Sequence, residues 1–381
     1  MRVQILSSRV GGGHLSVARA LVEGLRALGD PDLEVWVDDL YVDLARLPAR
    51  RFPWIYALAT RRLPWLWRAF YRATDLPPNR RPLTLLEEAV GGPGLRRILD
   101  ERRPNAVVSV LPGIADFTAR SLESAGVSAT IEVVVTDWAD IHMGWASRRA
   151  THYSVPTESA AATLGRAGVP AEKVTVAGFP VREQFIGLRR NEATCRAARE
   201  RLDLPPDRFV VLAMVGTEGS PAALAHLRAL AMAPIDAEIL VVCGRNARLR
   251  RRVSQLDSVN TLRALGFIDD VAGLMLASNL LVTKAGGVTL AEAFCCGIPV
   301  VAFDPLPGQE EGNARFVVAE EAAELATSPR DLAQIVGELR WSPTRRASLQ
   351  ANGARLATPG AALRVAAAIL RRARADAMTT R

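Results

Sequence analysis

Asn279-Leu280-Leu281-Val282-Thr283-Lys284-Ala285-Gly286-Gly287-Val288-Thr289-Leu290-Ala291-Glu292-Ala293 opens as a short apolar run, turns on two adjacent glycines and continues at helical spacing. The run has no polar alternation, which suits a strand buried on both faces of a parallel sheet. Glycines at the start of a helix let main-chain N–H groups converge on an anion, and the partial charge of the helix N-terminus favours it. The stretch is one βα unit with a candidate anion site at Gly286 and Gly287. Glu292, about one turn into the helix, is placed to accept hydrogen bonds from ribose hydroxyls. Lys284 is a compositional exception, because the chain has 46 Arg and two Lys, Lys173 and Lys284. A compact ammonium at such a loop suits a phosphate, and a plain surface lysine at a strand end is the alternative.

Similar runs recur on both sides. Arg2–Leu6, Leu33–Val37, Ala106–Val110, Thr130–Val135, Val174–Ala177, Phe209–Val215, Ala237–Cys243, Asn279–Thr283 and Pro299–Phe303 read as strands. Helical patterns such as Leu15–Leu28, Glu158–Ala167 and Leu290–Cys296 alternate with them. Repeated βα units predict a doubly wound α/β architecture. The 381 residues suit two domains. A polar helical stretch, Arg189–Arg201, closed by Leu204-Pro205-Pro206, separates two series of strands. The expected organisation is an N-terminal Rossmann-like domain over 1–185 and a second Rossmann-like domain over 186–358. A last helix over 359–381 would pack back on the first. Two such domains facing each other would form a cleft, with ligands beyond the carboxyl ends of the strands.

Further strand ends carry polar or glycine-rich loops. Ser7-Ser8-Arg9-Val10-Gly11-Gly12-Gly13-His14 follows the first strand and opens a helix. Its glycines, Gly13 among them, permit close approach of a ligand. A histidine at a helix N-terminus has its neutral form favoured, so His14 is a candidate general base; a capping or packing role is the alternative. Asp38 and Asp39 end the second strand, where a dinucleotide-binding fold would hold a ribose, but the GGGH spacing is not GxGxxG. Pro305-Leu306-Pro307-Gly308-Gln309-Glu310-Glu311-Gly312-Asn313 offers the oriented donors and acceptors that sugar hydroxyls need, or forms a plain polar turn. Weaker signals are Thr217 in Gly216-Thr217-Glu218-Gly219-Ser220, Arg245 in Cys243-Gly244-Arg245-Asn246, Phe267 after Gly266, and Asp137 in Val135-Thr136-Asp137-Trp138.

Composition removes several classes. Hydrophobic residues at 49% and charged residues at 23% exclude a disordered chain. No apolar run approaches the ~18–20 residues that span a bilayer. The four cysteines form no CxxC pair, so neither a disulfide framework nor a zinc site is expected, and the chain reads as reduced and cytosolic.

The net charge of +8 lies in one segment. Residues 46–81 hold nine Arg and a single acid, Asp75, so the remainder is neutral. Seven aromatics share that segment: Phe52, Trp54, Tyr56, Trp65, Trp67, Phe70 and Tyr71. Arg61, Arg62, Trp65, Trp67 and Arg68 have the chemistry of a surface at lipid headgroups, where rings settle at the interface and guanidinium groups meet anionic lipid. A core-packing helical pair with a solvated Arg face is the plainer reading. Nucleic-acid binding lacks an accompanying motif.

Taken together these segments resemble the diacylglycerol glycosyltransferases, the bacterial processive glucosyltransferases and plant monogalactosyldiacylglycerol synthases. The resemblance rests on SSRVGGGH (7–14), VVTDWADIHMGW (134–145), VAGFPVREQF (176–185), VVCGRN (241–246), LGF (265–267), TKAGGVTLAEA (283–293) and PLPGQEEGN (305–313). It implies two Rossmann-like domains of GT-B type, with a UDP-hexose in the second domain and diacylglycerol and membrane, anionic lipid included, at the first. Gly286 and Gly287 would then hold the diphosphate and Glu292 the ribose. Phe267 would contact uracil, Arg182 would reach the nucleotide, and Gln309 and Glu310 would read donor hydroxyls. Gly13, Thr217, Arg245, Lys284 and Asn313 complete the candidate donor set. His14 would be the base, with Asp137 second. An inverting hexosyltransferase needing no metal or other cofactor, peripheral on the cytosolic membrane face, is the expectation. A transferase with another lipid or metabolite acceptor, a UDP-sugar epimerase and an NAD-dependent oxidoreductase are the alternatives.

Overall fold

The computed structural model describes residues 1–9, 12–45, 49–76, 84–188, 190–216 and 221–379. The chain forms two compact units, Met1–Glu183 with Thr358–Arg381, and Gln184–Ala357.

In the first unit β1 (Arg2–Ser7) leads into α1 (Gly13–Ala27), β2 (Glu34–Asp39), a single π-helical turn (Leu40–Leu44), α2 (Phe52–Arg62), α3 (Pro64–Thr74) and α4 (Thr84–Arg102). Then come β3 (Ala106–Ser109), α5 (Ala115–Ala125), β4 (Thr130–Val134), β5 (His152–Val155), α6 (Glu158–Arg166) and β6 (Val174–Val176). The second unit runs α7 (Glu192–Arg201), β7 (Phe209–Met214), α8 (Pro221–Met232), β8 (Ala237–Val242), α9 (Ala247–Ser254), β9 (Thr261–Leu265), α10 (Val271–Ala277) and β10 (Leu280–Thr283). It continues through α11 (Gly287–Cys296), β11 (Val300–Phe303), α12 (Glu311–Ala319), β12 (Ala323–Ala326), α13 (Pro329–Trp341) and α14 (Pro343–Leu356). The last helix, α15 (Ala361–Thr379), belongs to the first unit.

Each unit is built on a six-stranded sheet whose neighbouring strands all pair in parallel, in the orders β2-β1-β3-β4-β5-β6 and β12-β11-β10-β7-β8-β9. Central strands such as β3 and β10 are buried along their whole length, as their unalternated apolar sequence requires. The nine strands anticipated from sequence are present with ends within two residues. Three were not anticipated. β9 and β12 are edge strands, and β12 (Ala-Glu-Leu-Ala) lacks β-branched residues; β5 (His-Tyr-Ser-Val) is interior but has one β-branched residue.

The direction in which strands are added reverses once in each sheet, between β1 and β3 and between β7 and β10. Loops leaving the strands at such a reversal splay apart and leave a crevice, where ligands of open α/β sheets bind. Both glycine motifs follow strands at these reversals. Gly12 caps α1 from just before its first residue, and its φ of +76° is left-handed and open to glycine without strain.

α15 is fastened to the first unit by close packing and charge. A Cβ on Gly24 of α1 would lie 2.8 Å from the Ala362 carbonyl oxygen, so this crossing admits no side chain there. Arg374 reaches Asp30 at 2.7 Å, and Arg372 grips Glu132 of β4.

Candidate functional site

At the reversal of the second sheet, β10 ends on Thr283 and the chain passes through Lys284 and Ala285 to Gly286, the residue that precedes α11. Ala285 is held at φ +64°, a left-handed conformation that costs a non-glycine residue roughly 1–3 kcal/mol. The turn thereby directs the first amides of α11 beyond the sheet edge. The Lys284 ammonium lies 3.1 Å from the Asp304 carboxylate, which follows β11 and is itself left-handed at φ +41°. A Cβ on Gly216, at the end of β7, would stand 3.8 Å from Lys284 Cδ, so the two strand ends at the reversal meet around this lysine.

The loop after β11 is stitched to the glycine turn. Asn313 is buried and donates from Nδ2 to the Ala285 carbonyl at 3.4 Å. Glu310 accepts the Leu306 N–H at 2.8 Å through Oε2, and its Oε1 would be 3.4 Å from a Cβ on Gly286. Gln309 is half-buried beside it. Glu292 is buried on α11. At the ends of β8 and β9, the Arg245 guanidinium sits over the Phe267 ring, 4.8 Å from its centroid. Phe267 is 54% exposed, so a large apolar ring is presented to whatever binds there. Thr217 lies outside the described residues.

In the first unit His14 is the second residue of α1, with Gly13 before it. Its Nδ1 is 3.3 Å from Thr136 Oγ1, just past the end of β4. Burial pushes the imidazole down to about 4, against a smaller upward pull from the Val110 carbonyl at the end of β3. The ring is therefore neutral near pH 7, the form a general base needs. Asp137 is adjacent in sequence to Thr136, and its Oδ2 accepts the indole N–H of buried Trp145 at 3.0 Å. Trp138 stacks on Phe179 with centroids 5.4 Å apart, three residues before half-buried Arg182.

The two carboxylates of a dinucleotide reading are committed to the protein. Asp39 accepts N–H groups from Tyr41, Val42 and Arg9, and Asp38 accepts from Gln4 and Arg102. That occupancy counts against the oxidoreductase alternative.

The Arg- and Trp-rich segment forms the helix pair α2 and α3. No residue of α3 is buried. Trp54 (66%), Trp65 (68%), Ile55, Leu66 and Phe70 are exposed together with Arg62, Arg68 and Arg72. Trp67 instead turns between the helices, edge-on to Tyr56 at 4.9 Å. The Arg61 side chain, and Arg46, Arg80 and Arg81, lie outside the described residues. No helix among the described residues is long and apolar enough to cross a membrane, and among them no cluster of His, Cys, Asp and Glu is arranged to hold a metal ion.

Sequence reasoning missed Asp304, Thr136 and Trp145 as neighbours of the candidate residues. Asp304 was visible as the acid directly after a strand end, and Thr136 and Trp145 as members of the segment 134–145; their pairings were not.

Residues 14–181 match a family model described as monogalactosyldiacylglycerol (MGDG) synthase, and residues 211–353 match one for glycosyl transferases group 1. A probable chloroplastic monogalactosyldiacylglycerol synthase of Glycine max is 30% identical over 96% of this chain and 70% of its own. The processive diacylglycerol beta-glucosyltransferase of Bacillus subtilis (strain 168) is 28% identical over 89% of this chain and 86% of its own. Among solved structures, MurG of Acinetobacter baumannii superposes with a TM-score of 0.61 at 17% identity, covering 97% of this chain and 99% of that one, a likeness of fold. With both halves matched in order and 96% of its length aligned at 30% identity, the chain belongs to the family of monogalactosyldiacylglycerol synthases and processive diacylglycerol glucosyltransferases.

Proposed function

We propose that the protein transfers a hexose from a UDP-sugar to the free hydroxyl of diacylglycerol, working as a peripheral enzyme on the cytosolic membrane face in glycolipid synthesis. The observation that carries the lipid half is α3, a fully formed helix with no buried residue that presents tryptophan, phenylalanine and arginine together. Such a surface seats its rings among headgroups and its guanidinium groups on anionic lipid. A UDP-sugar epimerase would have no use for it. The relatives named as diacylglycerol glucosyltransferases and monogalactosyldiacylglycerol synthases support the same reading.

The donor belongs to the second unit in this scheme. Amides at Gly286 and Gly287 and the N-terminus of α11 receive the diphosphate, Phe267 and Arg245 the base, and Glu292 the ribose. Gln309, Glu310 and Asn313 meet the hexose. In the reaction the acceptor oxygen forms a bond to the anomeric carbon while the bond from that carbon to the diphosphate oxygen breaks. The proton leaves to His14, with Asp137 as the second candidate base, and one displacement inverts the anomeric centre. A positioned base contributes about 10²–10⁴-fold. Stabilising the departing diphosphate is the larger task, given to fixed amide dipoles and the cations Lys284 and Arg182.

Incubating the protein with diacylglycerol vesicles and a panel of labelled UDP-sugars tests the proposal. Labelled lipid of inverted configuration is the expected product, formed equally well in the presence of a chelator. Label that appears only in free sugars, or in no lipid at all, would refute it.

A further inference from the structure

Asp75 is the one acid in the Arg-rich segment, and neither the donor nor the base explains it. It caps the C-terminal end of α3 and accepts the Met143 N–H at 2.6 Å. Beside it, His142 Nδ1 accepts the Gly144 N–H at 2.8 Å, which leaves the proton of the neutral ring on Nε2. Nε2 is 3.1 Å from the Tyr71 carbonyl and 3.4 Å from Thr74 Oγ1. Tyr71 stands in the last turn of α3, and its carbonyl, which also accepts the Thr74 hydroxyl at 3.1 Å, takes the imidazole N–H from outside the helix. The Tyr71 and His142 rings also meet edge-on with centroids 4.5 Å apart.

The turn that receives these contacts is stiff. A Cβ on Gly144 would fall 2.5 Å from His142 Nδ1, so this position admits only glycine while the imidazole stays in place. The Gly144 carbonyl accepts the Gly113 N–H at 2.7 Å. Trp145, next in the chain, is buried and holds Asp137 through its indole N–H. Asp137 is adjacent to Thr136, the neighbour of His14. An unbroken set of contacts thus runs from the exposed α3 through His142 and Asp75, the turn 142–145 and Trp145 to Asp137, all inside the first unit.

We infer that His142 is a positioning residue that ties the α2–α3 pair to the Asp137 turn, so that seating α3 on a lipid surface fixes Asp137 for reaction. The inference rests on the proposed lipid acceptor for the meaning of the change in rate. The mechanical part stands on the contacts alone. A ligand shifts such an element only through interactions that differ between its arrangements, and a bilayer supplies them here because it touches α3 and not the turn.

Two measurements test it, on the full chain, wild type and as His142→Ala and Asp75→Ala. The first is hydrogen–deuterium exchange over residues 137–145, with and without mixed phosphatidylcholine–phosphatidylglycerol vesicles, and needs no turnover. In wild type the turn should exchange several-fold more slowly on vesicles, and in both variants that protection should vanish while co-sedimentation with vesicles stays within twofold. The second compares kcat on diacylglycerol in those vesicles with kcat on dispersed short-chain diacylglycerol. Wild type should show at least a tenfold excess on vesicles, and the variants should lose most of it with KM for the UDP-sugar within twofold. Unchanged exchange of the wild-type turn on bound vesicles overturns the inference. So does a variant that keeps the excess, loses both rates by one factor, or no longer binds vesicles. If wild type transfers no hexose in either form, the functional proposal fails, and the exchange result still decides the tether.

Discussion

Arg372, on the last helix, forms a two-pronged ion pair with Glu132 of β4, its Nε 2.8 Å from Oε1 and its Nη2 2.6 Å from Oε2, across 240 residues of sequence. Burial lifts the Glu132 carboxyl above its ordinary range, and the Arg372 hydrogen bonds and charge pull it part of the way back. Arg372→Ala removes that compensation and leaves a buried carboxylate alone, a loss of about 3–5 kcal/mol. The sign with pH follows. The carboxyl in the variant is raised further, so its protonated form is tolerated in mild acid, and stability falls as pH rises through the raised value. The difference in melting temperature between wild type and variant should be larger at pH 7.5 than at pH 5, and an equal difference at both would exclude this account.

His14→Ala should lower turnover by about 10²–10⁴-fold while UDP affinity changes little, because a base acts on the acceptor proton. Since burial holds the imidazole down to about 4, it loses its proton as pH rises through 4. The acid limb of the kcat/KM profile should therefore lie near 4, well below the ordinary histidine value of about 6.5. Near-normal turnover in the variant would remove His14 from the mechanism.

Gly286→Ala meets no backbone obstacle, because φ is −61° and the added Cβ would make only ordinary contact with Glu310. The fold should hold its melting temperature within a degree or two. The methyl group would nevertheless stand where the proposed site receives the diphosphate, so calorimetry should show UDP binding weakened about tenfold or more, equivalent to ~1.4 kcal/mol. Unaltered affinity would move the anion site elsewhere.

Lys284→Met tests the cation at the same turn. The Lys284–Asp304 ion pair is removed, and with it the charge-assisted hydrogen bond of about 1.5–3 kcal/mol that the proposed site gives the phosphate. UDP affinity should fall at least tenfold and uridine affinity much less. An equal fall for both ligands would show that the lysine supports the loop and not the phosphate.

Trp65→Ala with Arg68→Ala changes only exposed side chains of α3. Thermal stability should stay within about 0.5 kcal/mol, the usual span for such positions. Co-sedimentation with anionic vesicles should drop severalfold. Retained binding would place the lipid surface on another face.

Much of this was legible before the fold was known. β10 and its glycine turn could be read because a fully buried strand is written as an unbroken apolar run and a helix start as glycine. The clustering of Arg and Trp at residues 54–72 was equally plain, and α3 has no buried residue. What stayed hidden were pairings between distant segments. Nothing near Asp75 in sequence announces Met143, because a helix end meets a turn 68 residues away, and nothing near Lys284 announces its pairing with Asp304, because a parallel crossover brings the ends of β10 and β11 together. The edge strand β12 was hidden for another reason: its Ala-Glu-Leu-Ala is made of residues that favour helix, and it is a strand because β11 offers it a free edge.

The chain leaves its first unit at Glu183 and comes home at Thr358. Removing residues 361–379 would thus spare the half assigned to the nucleotide and take a helix from the half assigned to the lipid. A change late in the sequence would be felt by its first half.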